Sequence, residues 1–210
     1  MYRKFFKRFF DIILSLVCLI ILSPLFLVIA ILIRIFMGSP VIFRQERCGK
    51  GNQSFYILKF RTMTDKKDEN GELLPDALRR SAFGNFLRGT SLDELPELIN
   101  ILKGEMSFIG PRPLLTHYYP YYTERELHRL DVRAGLVPPE VLSLDITPSW
   151  DTQLETEADY ALNLNFITDI KVIFATFVIL YKRLRYNYGG YDRQALSVER
   201  AEKVKESVEV

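Results

Sequence analysis

Two adjacent acidic residues, Asp93 and Glu94, are the strongest candidates for chemistry in this 210-residue sequence. Apolar residues follow them at helical spacing, so we expect a helix over Glu94–Leu102 with both acids near its N-terminus and off its buried face. A carboxylate at a helix N-terminus stays ionised, and it can act as a nucleophile or bind Mg²⁺. Adjacent helical residues point about 100° apart, so the two acids cannot flank a sugar as a glycosidase pair does. One acid would attack or bind metal, and the other would support it.

The same residues also fit a purely structural pattern. Ser91 and Glu94 have the spacing of a capping box, and acids are favoured in the first turn of any helix. Pro96 fits best in a first turn, which would move the cap towards Asp93. The pattern by itself leaves the structural and the catalytic interpretations open.

Lys59 and Arg61 are candidates for binding phosphate. They alternate on a predicted strand, Phe55–Thr62, and therefore share one face about 7 Å apart, a spacing that suits two phosphate groups. Arg88, which shortly precedes the acidic pair, is a further candidate. A solvated strand face explains Lys59 and Arg61 equally well.

Arg112 stands between two prolines, Pro111 and Pro113. The prolines restrict the backbone, so the planar guanidinium is presented for bidentate phosphate binding at low entropic cost. The alternative is an ordinary turn that carries an exposed arginine.

The longest uncharged segment runs for 22 residues, from Ile12 to Ile33. A helix of that length spans about 33 Å, enough to cross a bilayer. Ser23-Pro24 lies at its middle, and Pro24 removes a helical hydrogen bond, which favours a kink or a break. We expect the Ser23 hydroxyl to help satisfy the carbonyl that proline leaves free. Both flanks are basic, and because positive residues stay cytoplasmic, we expect both ends on the same side. A helix that enters and leaves one leaflet satisfies both facts; a single kinked transmembrane helix is the alternative.

Composition excludes several classes of protein. The chain is 48% hydrophobic and 26% charged, which excludes disorder and a multi-span transporter, and its two cysteines exclude a disulfide scaffold. A net charge of +2 argues against bulk nucleic-acid binding. Residues 1–50 hold eight Lys/Arg against two Asp/Glu, however, and a basic, apolar N-terminus indicates a membrane surface.

The remaining pattern predicts a mostly helical α+β body. Short strands are expected at Pro40–Phe43 and Phe55–Thr62, helices at Phe83–Leu87, Glu94–Leu102, Thr123–Leu130 and Glu155–Asn163, and loops at Asp65–Arg80 and Ala134–Pro148. The apolar segment Val172–Tyr181 is too short to span and predicts a core helix or an interfacial amphipathic helix. A membrane hairpin, an acid pair and several cations together suggest transfer of a phosphorylated group onto a lipid.

Longer stretches around these residues resemble a known family. They are Pro40–Gln45, Lys59–Met63, Leu87-Arg88, Thr90–Leu98 and Leu102–Pro113, together with Ser23-Pro24. On these stretches the sequence resembles the monotopic phosphoglycosyl transferases, the bacterial sugar transferase family that starts glycan assembly on polyprenyl phosphate. The resemblance is closest to the small single-domain members that use UDP-sugars.

The resemblance implies a mechanism. Asp93 would attack the sugar-linked phosphate of a UDP-sugar, release UMP and form a covalent phosphosugar–aspartate, from which polyprenyl (undecaprenyl) phosphate would take the phosphosugar in a ping-pong sequence. The family uses Mg²⁺ at the pair that corresponds to Asp93 and Glu94, and Arg112 would help to hold the nucleotide. Lys59, Arg61 and Arg88 stay candidates for binding phosphate.

The resemblance also implies an organisation and a location. We expect a re-entrant membrane helix at 1–38, a catalytic domain with interfacial helices at 39–196 and a tail helix at 197–210. The protein would be monotopic, contact membrane lipid at the cytoplasmic face of a bacterial inner membrane, and pass its product to downstream glycosyltransferases.

The segment Ala134–Ile146 departs from the family's pattern, with Ala134 in place of a proline and Val137-Pro138 in place of Thr-Gly. We expect this loop to shape the active site, so the change bears on the identity of the sugar and on whether a partner subunit completes the site. The alternative is a non-catalytic, membrane-anchored member that scaffolds a partner glycosyltransferase. A membrane-anchored phosphatase would need a nucleophile motif that the sequence lacks.

Overall fold

A computed structural model describes residues 1–185 and 193–201 and confirms a mostly helical α+β chain. Its helices are α1 (Lys7–Phe36), α2 (Asp76–Arg79), α3 (Ala82–Gly89), α4 (Glu97–Lys103), α5 (Glu124–Leu127), α6 (Trp150–Leu162) and α7 (Phe166–Arg185). Its strands are β1 (Ile42–Cys48), β2 (Ser54–Phe60), β3 (Met106–Ile109) and β4 (Ala134–Val137). Strand β1 pairs with β2, and β3 pairs in parallel with β4.

Strand β4 corrects one prediction. Residues Ala134–Val137 were expected in a loop but pair with β3, with Met106 opposite Ala134 and Ile109 opposite Val137. A side chain on Gly135 would lie 2.1 Å from the backbone nitrogen of Gly110, so only glycine permits this approach. Strands of four residues are too short to show an alternating pattern, so β3 and β4 could not be predicted from apolar periodicity.

Helix α6 begins five residues before the predicted start at Glu155, because Ser149 caps it by accepting a hydrogen bond from the backbone N–H of Thr152. Residues 196–201 are helical, and the rest of the predicted tail helix lies outside the described residues.

Helix α1 remains α-helical on both sides of Pro24 and through it. Pro24 cannot donate to the carbonyl of Ile20, four residues before it, but the Ser23 hydroxyl donates to that carbonyl at 2.8 Å. This contact confirms the expectation that Ser23 satisfies the freed carbonyl, and it allows a helix to tolerate proline inside a bilayer. A bend at Pro24 stays a prediction.

Among the described helices, one is long and apolar enough by length and composition to cross a membrane; it spans Tyr2–Phe36 and consists of a π-helical segment, Tyr2–Phe6, followed by α1. Only 11% of its most apolar window is buried against the rest of the chain. Most of its large apolar side chains are therefore exposed, which is consistent with a membrane anchor.

The described chain forms two compact units. Unit A comprises Phe10–Gln45 and Tyr56–Lys103, and unit B comprises Met1–Phe9, Glu46–Phe55 and the described residues from Gly104 onward. The core of unit A joins the end of α1 to β2 and α3 through Ile29, Ile33, Met37, Phe60 and Leu87.

The described residues of unit B include two apolar clusters. One contains Trp150 and Leu154 of α6 with Tyr118 and Leu196, and the other contains Ile109, Val132, Tyr160, Ala161 and Val172. Helix α7 therefore buries one face, whereas its apolar side chains Phe166, Phe174, Phe177 and Tyr181 are exposed.

A buried carboxylate in unit B ties the N-terminal segment to α7. Asp169 is 4% exposed, and its Oδ2 atom accepts from the ammonium of Lys7 at 2.6 Å and from the hydroxyl of Tyr2. The hydroxyl of Tyr160 lies 2.6 Å from Oδ1 of Asp169. A buried carboxylate with three donors is stabilising only while every donor keeps its acceptor.

We expect Asp169→Asn to lower the free energy of unfolding by about 2–4 kcal/mol, because the Lys7 ammonium loses its only carboxylate partner among the described contacts. Urea denaturation in detergent micelles measures this difference. Asp159→Asn is the matched control, since Asp159 forms an exposed ion pair with Arg125 and should cost less than about 1 kcal/mol. Equal small effects of both substitutions would contradict the structural role of Asp169.

Candidate active site

The acid pair lies in unit A, in a 3-10 turn of Leu92–Glu94 that precedes α4. Ser91 has a left-handed backbone (φ 56°) and redirects the chain after α3. Leu92 and Leu95 pack against the core of unit A and fix the turn. Asp93 is only 8% exposed, so the expectation that it lies off the buried face is wrong.

The capping-box interpretation is also wrong. The Ser91 side chain makes no capping hydrogen bond, and α4 begins at Glu97 rather than at Glu94. The carboxylate of Glu94 instead accepts from the ammonium of Lys59 at 2.6 Å. Glu94 is therefore engaged in an ion pair across unit A rather than in closing its own helix.

Lys59 bridges two carboxylates. Its Nζ atom lies 2.6 Å from Oε1 of Glu94 and 3.2 Å from Oε1 of Glu97. Glu97, which is 3% exposed, did not figure among the predicted site residues. Its position one helical turn after Asp93 was the signal available in the sequence.

Asn100 docks α4 onto β2. Its Oδ1 atom accepts from the backbone N–H of Leu58 at 3.0 Å, and its Nδ2 atom donates to the carbonyl of Tyr56 at 2.8 Å. The buried amide thus satisfies backbone groups of β2 as a neighbouring strand would. It thereby holds Lys59 of β2 close to Glu94 and Glu97. Sequence reasoning did not find Asn100, because its partners lie more than 40 residues away.

The positive charge of Lys59 partly offsets the negative charges of Asp93, Glu94 and Glu97. Burial raises the pKa of Asp93 above its ordinary value, the charge of Lys59 opposes the increase, and the negative charge of Glu94 adds to it. For Lys59 itself, burial lowers the pKa, but the charges of Glu94 and Glu97 outweigh burial and the net pKa is raised. Lys59 therefore stays charged, and Asp93 holds its proton to a higher pH than an exposed aspartate does.

Arg88 contributes a second positive charge that lowers the pKa of Asp93. Helix α3 approaches the chain after β2 so closely that a side chain on Gly84 would lie 1.9 Å from the carbonyl oxygen of Thr62. This approach brings Nε of Arg88 within 2.9 Å of the Thr62 hydroxyl, to which it donates. Arg88 is thus positioned by a glycine contact that the sequence did not reveal.

Arg61 is committed to contacts within unit A. Its Nε atom donates to the carbonyl of Met63 and one terminal nitrogen donates to the carbonyl of Ser39, both at 2.6 Å. The other terminal nitrogen pairs with Asp65 at 2.7 Å. These contacts favour a structural role, and phosphate binding by Arg61 stays a prediction without support from them.

Arg112 lies in unit B, where a buried ion pair holds its backbone. Glu157 accepts from the Arg112 backbone N–H at 2.9 Å, and Arg129 donates to the Arg112 carbonyl at 2.6 Å. Arg129 and Glu157 pair with each other at 2.8 Å with both side chains almost fully buried. The segment Pro111–Pro113 is therefore fixed by contacts as well as by its prolines.

Sequence reasoning missed Arg129 and Glu157. Glu157 could have been noticed because it interrupts an apolar stripe of α6. It follows Leu154 by three residues and precedes Ala161 by four, so all three share one helical face. A charged residue at such a position indicates a buried partner. The guanidinium of Arg112 is itself 3.2 Å from Oε1 of Glu140, which belongs to the segment that departs from the family pattern.

The structure thus brings Lys59, Arg88 and Glu94 to the surroundings of Asp93 in unit A. Pro111, Arg112 and Pro113 belong to unit B.

The carboxylates of Asp93 and Glu94 fit Mg²⁺ in kind, since this ion takes one or two carboxylates together with substrate phosphate oxygens. Within residues 1–185 and 193–201, no group of three or more acidic, histidine or cysteine side chains forms a metal site. A magnesium ion held by these two carboxylates would complete its coordination with water and substrate phosphate oxygens.

Comparison with known proteins gives a consistent result over most of the chain. A family model described as bacterial sugar transferase matches residues 2–183. An uncharacterized sugar transferase of Bacillus subtilis (strain 168), EpsL, is 39% identical over 170 residues, which cover 81% of this chain and 84% of EpsL. The exopolysaccharide production protein ExoY of Rhizobium meliloti (strain 1021) is 36% identical over 187 residues, covering 81% and 83% of the two chains.

The name of one longer relative states the reaction that this relative catalyses. It is the UDP-glucose:undecaprenyl-phosphate glucose-1-phosphate transferase of Escherichia coli (strain K12), which is 34% identical over 186 residues. The match covers 83% of this chain but 40% of that protein, so this chain corresponds to less than half of the longer relative.

Proposed function

Because the chain belongs to the bacterial sugar transferase family, we propose that it transfers a sugar 1-phosphate from a UDP-sugar to polyprenyl phosphate and releases UMP. Relatives named for such transfers to undecaprenyl phosphate support this proposal. The observation that carries it is the buried Asp93 flanked by the cations Lys59 and Arg88. Such an arrangement suits a carboxylate that must approach a negatively charged diphosphate.

In the proposed reaction, an Asp93 carboxylate oxygen attacks the sugar-linked phosphorus of the UDP-sugar. An oxygen–phosphorus bond forms to Asp93, and the bond to the bridging oxygen breaks, so that UMP leaves with the electron pair. An oxygen of polyprenyl phosphate then attacks the same phosphorus and frees the Asp93 carboxylate. Lys59 and Arg88 offset the charge that builds up on the phosphoryl oxygens, since this transfer depends mainly on positioning and charge neutralisation.

Asp93 and Glu94 would hold Mg²⁺, which would supply further neutralisation of the diphosphate when bound. Glu94 in addition keeps Lys59 in place through their 2.6 Å ion pair. Arg112 would bind the nucleotide phosphate, because its backbone is fixed at both the N–H and the carbonyl. A fixed backbone lowers the entropy lost when the guanidinium engages a phosphate.

The lipid acceptor requires a site at the membrane face. Each CH₂ group of a polyprenyl chain that leaves the bilayer costs about 0.8 kcal/mol, so the chain stays in the lipid and the enzyme must reach its headgroup. We propose that α1 enters one leaflet and returns, and that the exposed apolar side chains of α7 lie in the interface with Lys182 and Arg183 at the headgroups. The protein would then be monotopic on the cytoplasmic face of a bacterial inner membrane, where downstream glycosyltransferases take its product.

Cysteine labelling tests this topology. Single cysteines placed at Arg3 and Arg44 in a variant without native cysteines should both react with an impermeant maleimide from the cytoplasmic side only. Reaction from opposite sides would establish a spanning helix instead.

Assay of UMP release tests the proposed activity. The purified protein, in detergent or nanodiscs, is mixed with Mg²⁺, undecaprenyl phosphate and one UDP-sugar at a time. Release with at least one donor, together with formation of the lipid-linked diphosphate sugar, would support the proposal. Absence of release with every donor in a broad panel would favour a non-catalytic scaffold.

A further inference from the structure

One carboxylate oxygen of Glu140 in unit B is buried and has no hydrogen-bond partner among the described residues. Its side chain is 13% exposed, and its Oε1 atom accepts from the Arg112 guanidinium at 3.2 Å. The other oxygen, Oε2, is buried, and no donor reaches it within residues 1–185 and 193–201. The residue belongs to a 3-10 segment, Pro139–Ser143, which begins at the second of two consecutive prolines.

A buried carboxylate oxygen without a donor is unfavourable, because water has been removed and nothing replaces it. An ionised carboxylate can only accept hydrogen bonds, so the missing partner must be an N–H or O–H group. Burial also raises the pKa of Glu140, and the charge of Arg112 opposes this increase. A hydrogen-bond donor brought by a ligand to Oε2 would stabilise the ionised carboxylate and oppose this increase.

The surroundings of Glu140 are fixed. The backbone of Arg112 is held by Glu157 and Arg129, and the Ser143 hydroxyl donates to the Glu140 carbonyl at 2.8 Å, which closes the 3-10 segment. A rigid acceptor of this kind discriminates between ligands more sharply than a mobile one, since it cannot move to accommodate a ligand that lacks the donor.

We infer that Glu140 determines donor specificity by accepting a hydrogen bond from a hydroxyl or N–H group of the sugar nucleotide that Arg112 holds. The inference rests on the proposed function, and it adds a recognition role to a residue of the divergent Ala134–Ile146 segment. The donor group belongs either to the ribose or to the transferred sugar, because both lie close to the phosphates and carry hydroxyls.

Two comparisons test this role in the full-length protein. The first is the kcat and KM for UMP release with the preferred UDP-sugar and with its epimers and deoxy analogues. The second is the affinity for UMP against 2′-deoxy-UMP and 3′-deoxy-UMP. Each is measured for wild type, Glu140→Gln, Glu140→Asp and Glu155→Gln. Glu155→Gln is the control, because it removes the same charge from an exposed residue of α6.

Glu140→Gln should raise KM for the preferred donor about 10- to 100-fold, the range for one hydrogen bond to a charged group. It should also abolish the wild-type preference against the one analogue that lacks the recognised group. A sugar analogue identifies the sugar as the source of the donor, and a deoxy-UMP identifies the ribose. Glu140→Asp should keep part of the preference, and Glu155→Gln should behave as wild type.

An equal loss of affinity for all donors and all three nucleotides would overturn the inference, because Glu140 would then only orient Arg112. An unchanged preference in Glu140→Gln would overturn it as well. Thermal unfolding of each variant separates these outcomes from misfolding. If Glu140→Gln does not fold, the donor preference of Glu140→Asp decides between them. Failure of the wild type to release UMP from any donor would instead refute the proposed function, while the nucleotide comparison would still decide the role of Glu140.

Discussion

Replacement of Asp93 by asparagine should reduce UMP release about 10³-fold or more. The amide has nearly the same shape as the carboxylate, so the 3-10 turn that Leu92 and Leu95 hold against the core should persist. It lacks a nucleophilic anion, however, and cannot form the acyl phosphate on which the second half of the reaction depends. The loss should appear mainly in kcat, because the diphosphate would still meet Lys59, Arg88 and any Mg²⁺ that Glu94 holds.

The measurement uses a UDP-sugar labelled on the sugar-linked phosphate, with no lipid acceptor present. Wild type should release up to one UMP per protein and retain the label on the protein, and Asp93→Asn should do neither. Asp159→Asn serves as a control, since Asp159 is an exposed surface aspartate on α6. Label that remained on the Asp93→Asn protein would show that another residue is the nucleophile.

Local patterns in the sequence identified features that depend on neighbouring residues. The Ser23-Pro24 dipeptide predicted that the hydroxyl would satisfy the carbonyl freed by proline, and the 2.8 Å contact to Ile20 confirms it. The adjacent acids Asp93 and Glu94 were found by residue type alone, whereas their partner Lys59 lies 35 residues from Glu94 along the chain. Residue type indicates that Asp93, Glu94 and Lys59 carry charge, but it does not indicate which of them form ion pairs.

Features that depend on distant contacts could not be predicted. Asn100 reaches Leu58 across 42 residues, and Arg129 reaches Glu157 across 28. The capping box failed for the same reason, because Glu94 had the spacing for a local contact but found a stronger, charged partner on β2. Tertiary ion pairs therefore override local capping patterns where a cation is brought within reach.

The second large effect concerns Lys59, which we expect to set the pH range of activity. Burial raises the pKa of Asp93, and the charge of Lys59 opposes that increase. In Lys59→Met the opposing charge is lost while the negative charge of Glu94 remains, so the pKa of Asp93 rises further. Since the ionised carboxylate is the nucleophile, a larger fraction of Asp93 is protonated and inactive at any given pH.

We expect kcat/KM at pH 7 to fall about 10²-fold in Lys59→Met, the range for loss of one charged group beside a developing charge. The acidic limb of the pH–rate profile should move to higher pH, and part of the activity should return as the pH is raised. Lys59→Arg should keep the limb near its wild-type position because it retains the charge. Lys103→Met, an exposed cation at the end of α4, is the matched control.

The shape of the profile distinguishes tuning of Asp93 from loss of a phosphate contact. If Lys59 acted only by binding the diphosphate, its removal would lower the rate by the same factor at every pH and leave the limb in place. Thermal unfolding of the variant is needed beside the profile, because the buried Glu97 loses its ion pair with Lys59. A folded Lys59→Met protein whose acidic limb coincided with that of wild type would refute the role of Lys59 in ionising Asp93.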